Sequence, residues 1–146
     1  MPKQQKGFSL IELLLVVVIV GIIAALAVPA LQKGLWAAEN GSAFATLRAI
    51  SSAQMDFFVQ NNRFGTLPEI NSRLGNSIGT VAGDTLVRGR YVFDMDPPTP
   101  TPDDLRTQFK IAATRDVPGQ TIYRYELTQT GRIVQIYPVG GLANNN

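Results

Sequence analysis

Hydrophobic and polar positions divide the chain into stretches of different periodicity. Residues 13 to 31 are all hydrophobic, glycine or proline, an uncharged run of nineteen. An α-helix rises about 1.5 Å per residue, so this run matches the roughly 30 Å hydrocarbon core of a bilayer. The pattern predicts a transmembrane helix over residues 8 to 34.

From residue 35 to residue 62 the pattern becomes amphipathic. Apolar side chains recur at helical spacing in one sector, and Ser52 and Asp56 fall on the opposite side. Asn61, Asn62 and Gly65 are typical of a helix end. We expect the helix to continue with this sector against a globular head. The sector comprises Ala43, Leu47, Ile50, Phe57 and Phe58, with Gln54 among them.

Residues 63 to 146 predict a small antiparallel sheet, which gives an α+β fold. Four short stretches rich in β-branched and aromatic residues, at 89–94, 109–114, 121–128 and 132–138, are typical of strands. Tyr123, Tyr125 and Leu127 share one strand face. Thr130-Gly131 indicates a tight hairpin, or a loop of about three residues. Between residues 65 and 89 only a short helix, near residues 67 to 74, is predicted.

Residues 94 to 104, DMDPPTPTPDD, contain four prolines. Proline is confined to strand edges and loops, so this stretch predicts an extended loop. Its acids are weak candidates for calcium ligands, which are carboxylate and carbonyl oxygens. A solvated acidic loop is favoured, and no cofactor is predicted. The candidate acids are Asp94, Asp96, Asp103 and Asp104.

The amino-acid composition excludes several kinds of functional site. The chain has no cysteine and no histidine, which excludes thiolate or imidazole metal sites and catalytic triads or dyads built on either residue. We therefore do not expect an enzyme. The net charge of +2 is carried by Lys3 and Lys6 in the first seven residues, so the body is neutral and nucleic-acid binding is disfavoured. Arg88 and Arg90 could contact phosphate, but a solvated face is favoured.

The N-terminus does not follow the order of a secretory signal peptide. There the apolar region precedes the cleavage site, whereas here the basic MPKQQK and Gly7 precede the apolar run. A cut after Gly7 would leave the hydrophobic segment on the mature chain. The positive-inside rule places Lys3 and Lys6 in the cytoplasm and the head across the membrane.

The stretch KGFSLIELLLVVVIVGIIAALAVP resembles the N-terminal signature of type IV pilins and pseudopilins. A weaker similarity continues through AENGSAFATLRAISSAQMDFF. The resemblance implies that residues 1 to 7 are a leader, removed after Gly7 by a prepilin peptidase that methylates the new N-terminus at Phe8. It also implies a precursor in the inner membrane, with its head in the periplasm. Copies of the chain would then be assembled by inner-membrane machinery into an extracellular helical filament.

Glu12 is the one acid within this apolar segment. A charge at the bilayer centre costs roughly 2.5–3.5 kcal/mol, and an opposite charge ~4 Å away returns about 4 kcal/mol at an effective dielectric of ~20. The resemblance implies that the Phe8 amine of a neighbouring subunit is the partner, so Glu12 would set the register of assembly. The alternative is a snorkelling residue on an ordinary membrane anchor.

Gly21 and Pro29 interrupt the apolar helix. A proline in a helix interior removes one hydrogen bond and costs about 3 kcal/mol. We expect a kink or local melting there when subunits pack, or else a gentle bend without a role.

The leading functional hypothesis is therefore a structural subunit of a type IV pilus-like filament. The alternative is a pseudopilin of a type II secretion system, which shares the N-terminal signature. Aromatic residues along the chain are interpreted as core or subunit contacts rather than as an electron-transport path.

Overall fold

The computed structural model describes residues 7–138, and the chain divides into two compact units, Met1–Ala38 and Glu39–Asn146. Helix α1 extends over Leu10–Asn61 and is continuous at residues 34 and 35, where the two predicted segments meet. Its N-terminal part is long and apolar enough to cross a membrane, by length and composition.

The second unit contains the rest of α1, the short helix α2 and a six-stranded sheet. Every strand is antiparallel to its neighbour, and the spatial order is the chain order. The predicted α+β fold is confirmed. The elements are α2 Leu67–Arg73, β1 Thr80–Ala82, β2 Thr85–Arg88, β3 Tyr91–Met95, β4 Lys110–Arg115, β5 Tyr123–Thr128 and β6 Ile133–Tyr137.

The core of this unit lies between the apolar sector of α1 and one face of the sheet. Leu47, Ile50 and Gln54 are fully buried, and Phe58 packs at the margin. Ser52 and Asp56 are exposed, as the amphipathic pattern predicts. The buried apolar side chains that the sheet and loops contribute include Leu86, Tyr91, Phe93, Met95, Leu105, Phe109, Ile111, Tyr125 and Leu127.

The end of α1 is fixed by local chemistry. Asn62 has a left-handed backbone (φ 54°), which ends the helix after Asn61 as predicted. The buried amide of Gln54 donates to the carbonyl of Gly65 at 2.8 Å and accepts from its N–H at 2.7 Å. A capping box between Thr66 and Glu69 then starts α2.

The prediction of irregular structure between residues 65 and 89 was wrong for the second half of this region. That half contains strands β1 and β2. Two-residue turns led by glycine connect these strands to each other and to β3. Gly83 and Gly89 have φ of 64° and 60°, a backbone that glycine adopts without strain. The Gly-Asp and Gly-Arg pairs were the sequence signals for these hairpins.

The four predicted strands are confirmed as β3 to β6. Tyr125 and Leu127 are buried on the predicted face of β5, beside half-buried Tyr123. The β5–β6 loop has three residues between Thr128 and Arg132, and Gly131 has φ 75°. The longer of the two predicted turns is therefore the one that forms. The loop expected over residues 94 to 104 begins later, because Asp94 and Met95 belong to β3.

Candidate processing and assembly site

The predicted cleavage junction lies just before helix α1. Gly7 and Phe8 precede Leu10, the first helical residue, and the side chain of Phe8 is 88% exposed. A Cβ atom added to Gly7 would meet no atom within 4 Å. The fold of the chain itself therefore sets no requirement for glycine at this position, and any such requirement must come from a partner.

Glu12 lies in the first turn of α1, where it caps the helix. Its Oε2 accepts a hydrogen bond of 3.0 Å from the backbone N–H of Ser9, and Leu13 donates the next bond back to the Ser9 carbonyl. This is the carboxylate half of a capping box. This local role was not predicted, although the Ser-x-x-Glu spacing is its sequence signal.

The surroundings of Glu12 are apolar. Phe8, Ile11, Leu15 and Val16 line an open groove of about 410 Å³ together with the carboxylate. A negative charge is favoured here by the positive end of the helix dipole. Within residues 7 to 38, Lys33 is the only basic side chain, which lies about 21 residues along the chain from Glu12. No basic side chain among residues 7 to 138 forms an ion pair with the Glu12 carboxylate.

The two predicted helix breakers lie within a continuous helix. Pro29 leaves the carbonyl of Ala25 without its usual intrahelical donor, yet α1 continues to Asn61. A Cβ at Gly21 would meet no atom within 4 Å. The predicted loss of helix on subunit packing stays a prediction.

Three of the four acids of the proline-rich stretch have separate partners, and the fourth is half-buried. Asp96 pairs with Lys110 and raises the pKa of that lysine. Asp103 pairs with Arg106 at 3.1 Å, and hydrogen bonds from Thr101 lower the pKa of Asp104. Burial raises the pKa of Asp94 on β3.

The calcium hypothesis gains no support from this arrangement. Among residues 7 to 138, no group of three or more acidic, histidine or cysteine side chains is placed to hold a metal ion. The cavity of about 430 Å³ at this loop is lined by two of the four acids, Asp96 and Asp104, and by Lys110, which pairs with Asp96. Apolar side chains such as Leu105 and Phe109 complete the lining.

A buried arginine in the head was not predicted. Arg115 ends β4 with its side chain fully buried, and its Nε donates to Oε2 of Glu39 at 2.8 Å. Arg90, in the β2–β3 turn, lies 3.6 Å from the other oxygen of Glu39. Arg90 thus contacts an acid of its own chain. No sequence signal marked Arg115, because an arginine at a strand end is usually solvated.

The N-terminal part of the chain matches a known protein family. The family described as "Prokaryotic N-terminal methylation motif" matches residues 2–28. The type IV major pilin protein PilA of Myxococcus xanthus (strain DK1622) is 37% identical over 92 residues, which cover 58% of this chain and 42% of the relative. No solved structure matches the chain.

Two fimbrial proteins are similar over a comparable length. That of Neisseria meningitidis serogroup A / serotype 4A is 38% identical over 96 residues, covering 66% of this chain and 52% of the relative. The fimbrial protein EcpC of Eikenella corrodens is 33% identical over 93 residues, covering 58% of this chain and 61% of the relative. The chain spans about half the length of the relatives that it matches. The matched motif and these relatives show that the chain is similar to type IV pilins over its N-terminal part.

Proposed function

We propose that the chain is a structural subunit that polymerises into a type IV pilus-like filament after leader cleavage between Gly7 and Phe8 and methylation of Phe8. The observation that carries the proposal is the position of Glu12, a carboxylate on an otherwise apolar and exposed helix surface within the methylation motif. The similarity to proteins named type IV major pilin and fimbrial protein supports it further. No observation favours the secretion pseudopilin.

The proposed chemistry is an exchange of partners at Glu12. In the single subunit the carboxylate accepts from the N–H of Ser9, a neutral donor. Cleavage creates an amine at Phe8, and the amine of a neighbouring copy is a charged donor. Charge-assisted hydrogen bonds are roughly twice as strong as neutral ones, so docking of a neighbour competes well with the internal cap. The exchange couples processing to assembly.

The proposed partners follow from this chemistry. They are copies of the chain, a prepilin peptidase and methyltransferase, the inner-membrane assembly machinery and, before assembly, membrane lipid. The precursor lies in the inner membrane with its N-terminus in the cytoplasm and its head in the periplasm. The assembled filament is extracellular.

The test is the ratio of filamentous to membrane-held protein in cells that carry Glu12 variants. Glu12→Gln keeps an oxygen that can accept from Ser9 and removes only the charge, so we expect normal insertion and cleavage with little filament. Glu12→Leu should be at least as defective, because the neighbouring amine would lie unpaired in an apolar core. Asp84→Asn, an acid-to-amide change at the exposed β1–β2 turn, is the matched control and should assemble normally.

The same assay can contradict the proposal. Normal filament yield from both Glu12 variants would show that this carboxylate is not needed for assembly and would favour the snorkelling anchor. Cells that export substrates poorly without this chain, yet never carry surface fibres, would favour the pseudopilin alternative.

A further inference from the structure

The apolar part of α1 is followed by two residues with interfacial chemistry. Lys33 is the first charged side chain after Glu12, and Trp36 is the only tryptophan in the chain. Lysine can extend its ammonium group to the headgroups, and tryptophan is enriched at membrane–water interfaces because its ring is apolar and its N–H is polar. Residues three apart lie on the same side of a helix, so both point to one part of the interface.

The spacing along the helix agrees with this placement. Trp36 lies five residues beyond Leu31, the end of the apolar run, which is about 7.5 Å of helix. The headgroup region adds roughly 5–7.5 Å to each side of the hydrocarbon core. When the apolar run fills the core, Trp36 therefore reaches the headgroups of the periplasmic leaflet.

We propose that Trp36, together with Lys33, is an interfacial anchor that fixes the depth of α1 in the bilayer before assembly. Trp36 is half-buried, so it is the exposed part of its ring, together with Lys33, that contacts the lipid surface. Glu12 lies 24 residues before Trp36, about 36 Å along the helix, so the anchor places its carboxylate at the cytoplasmic edge of the hydrocarbon core. The same anchor keeps the Gly7–Phe8 junction at the cytoplasmic face. This inference rests on the proposed membrane-held precursor.

The first test uses the intrinsic fluorescence of the full chain in phosphatidylcholine–phosphatidylglycerol vesicles. Because Trp36 is the only tryptophan, quenching by brominated lipids reports its depth directly. We expect the strongest quenching by lipids brominated close to the headgroup. Ile22→Trp in a Trp36→Phe background should instead be quenched most by bromines near the chain ends, and Val59→Trp in that background should be unquenched.

Insertion is measured separately by resistance to alkaline extraction. A chain that does not insert would contradict the proposed membrane-held precursor. A chain that inserts, yet whose Trp36 is quenched most by the deepest bromines or by none, would overturn the anchor alone.

The second test asks whether the tryptophan determines the depth. The chain has no cysteine, so single cysteines introduced along residues 28 to 40 map the boundary that a membrane-impermeant maleimide reaches. Moving the aromatic ring one turn back, with Gln32→Trp and Trp36→Leu, should shift that boundary about four residues towards the N-terminus, roughly 6 Å of helix. Gln32→Leu with Trp36 kept should leave the boundary in place. An unshifted boundary in the double variant would overturn the proposal.

Discussion

Arg115 and Glu39 form an ion pair in which the guanidinium is fully buried, with 2.8 Å between Nε and Oε2. The carbonyl of Thr121 accepts a hydrogen bond from Nη1, and the side chain of Gln120 accepts one from Nη2. Burial of a charged group costs several kcal/mol unless hydrogen bonds and an opposite charge compensate for the lost hydration. Here Glu39, Thr121 and Gln120 all accept hydrogen bonds from the guanidinium. The pair ties the helical segment that begins at Glu39 to the end of β4.

Removal of the acid should therefore destabilise the head. Glu39→Ala leaves Arg115 buried without its carboxylate, and we expect a loss of about 3–5 kcal/mol in the free energy of unfolding. The measurement is urea unfolding of a soluble fragment starting at Lys33. Asp103→Ala breaks the exposed pair with Arg106 and should cost no more than about 1 kcal/mol. Equal losses in the two variants would contradict the role of the buried pair.

Low pH should lower the stability of the head, because Glu69 becomes protonated. Hydrogen bonds from Arg63 to both carboxylate oxygens, at 2.6 and 3.0 Å, lower the pKa of Glu69 from 4.5 to about 2. Because the folded state binds this proton less readily than the unfolded state, the stabilisation is complete above pH 4.5 and is lost as the pH falls towards 2. Glu69→Gln should flatten the fall of melting temperature across that window. A fall as steep as in the unchanged fragment would contradict this assignment.

Replacement of two glycines by alanine should change the free energy of unfolding in opposite directions. A Cβ at Gly79 would lie 2.9 Å from the backbone oxygen of Val87, so the β1–β2 hairpin must shift and we expect a loss of about 1–3 kcal/mol. Gly41 lies within α1 with no atom within 4 Å of a Cβ. Gly41→Ala should gain about 0.5–1 kcal/mol from the lower entropy of the unfolded chain. The measurement is the denaturant midpoint of each variant of the same fragment. Midpoints that shift in the same direction in both variants would contradict the prediction.

The packing of α1 into the core of the head can be tested at Phe57. Its ring is 8% exposed and carries the guanidinium groups of Arg63 and Arg73 at 5.2 and 5.8 Å. Phe57→Ala should cost about 3–5 kcal/mol, which a small head without disulfides can barely tolerate. Val59→Ala, two residues away and 80% exposed in the native chain, should change little. Similar melting of both variants would count against the packing.

Gly7→Val should block processing without disturbing the fold. Because a Cβ at Gly7 would meet no atom within 4 Å among residues 7 to 138, we expect the substitution to leave the fold of the subunit unchanged. We expect uncut precursor in the membrane and no filaments, measured by mass spectrometry of the N-terminus and by imaging of sheared surface material. Mature protein that kept residues 1 to 7 in working filaments would contradict the cleavage prediction.

The sequence predicted those features that one residue type or one periodicity determines. The apolar sector of α1, the end at Asn62 and the face of Tyr125 on β5 all follow from local rules. The partner of Arg115 could not be predicted, because Glu39 is 76 positions away and only the folded sheet brings them together. The hairpins at Gly83 and Gly89 were predictable in principle from their glycine-led pairs. The Ser-x-x-Glu spacing likewise indicates the capping role of Glu12.

The simple order of the sheet has a consequence for how quickly the head can form. Every strand pairs with the strand next to it in the chain, and the turns after β1 and β2 have only two residues. Such local pairing closes short loops, and proteins rich in local contacts fold faster than those with distant pairings. The hairpins can form one after another as the chain emerges, and the segment of α1 that must cover them is already synthesised. A head built this way spends little time with open strand edges, which is when neighbouring chains at a crowded surface would aggregate.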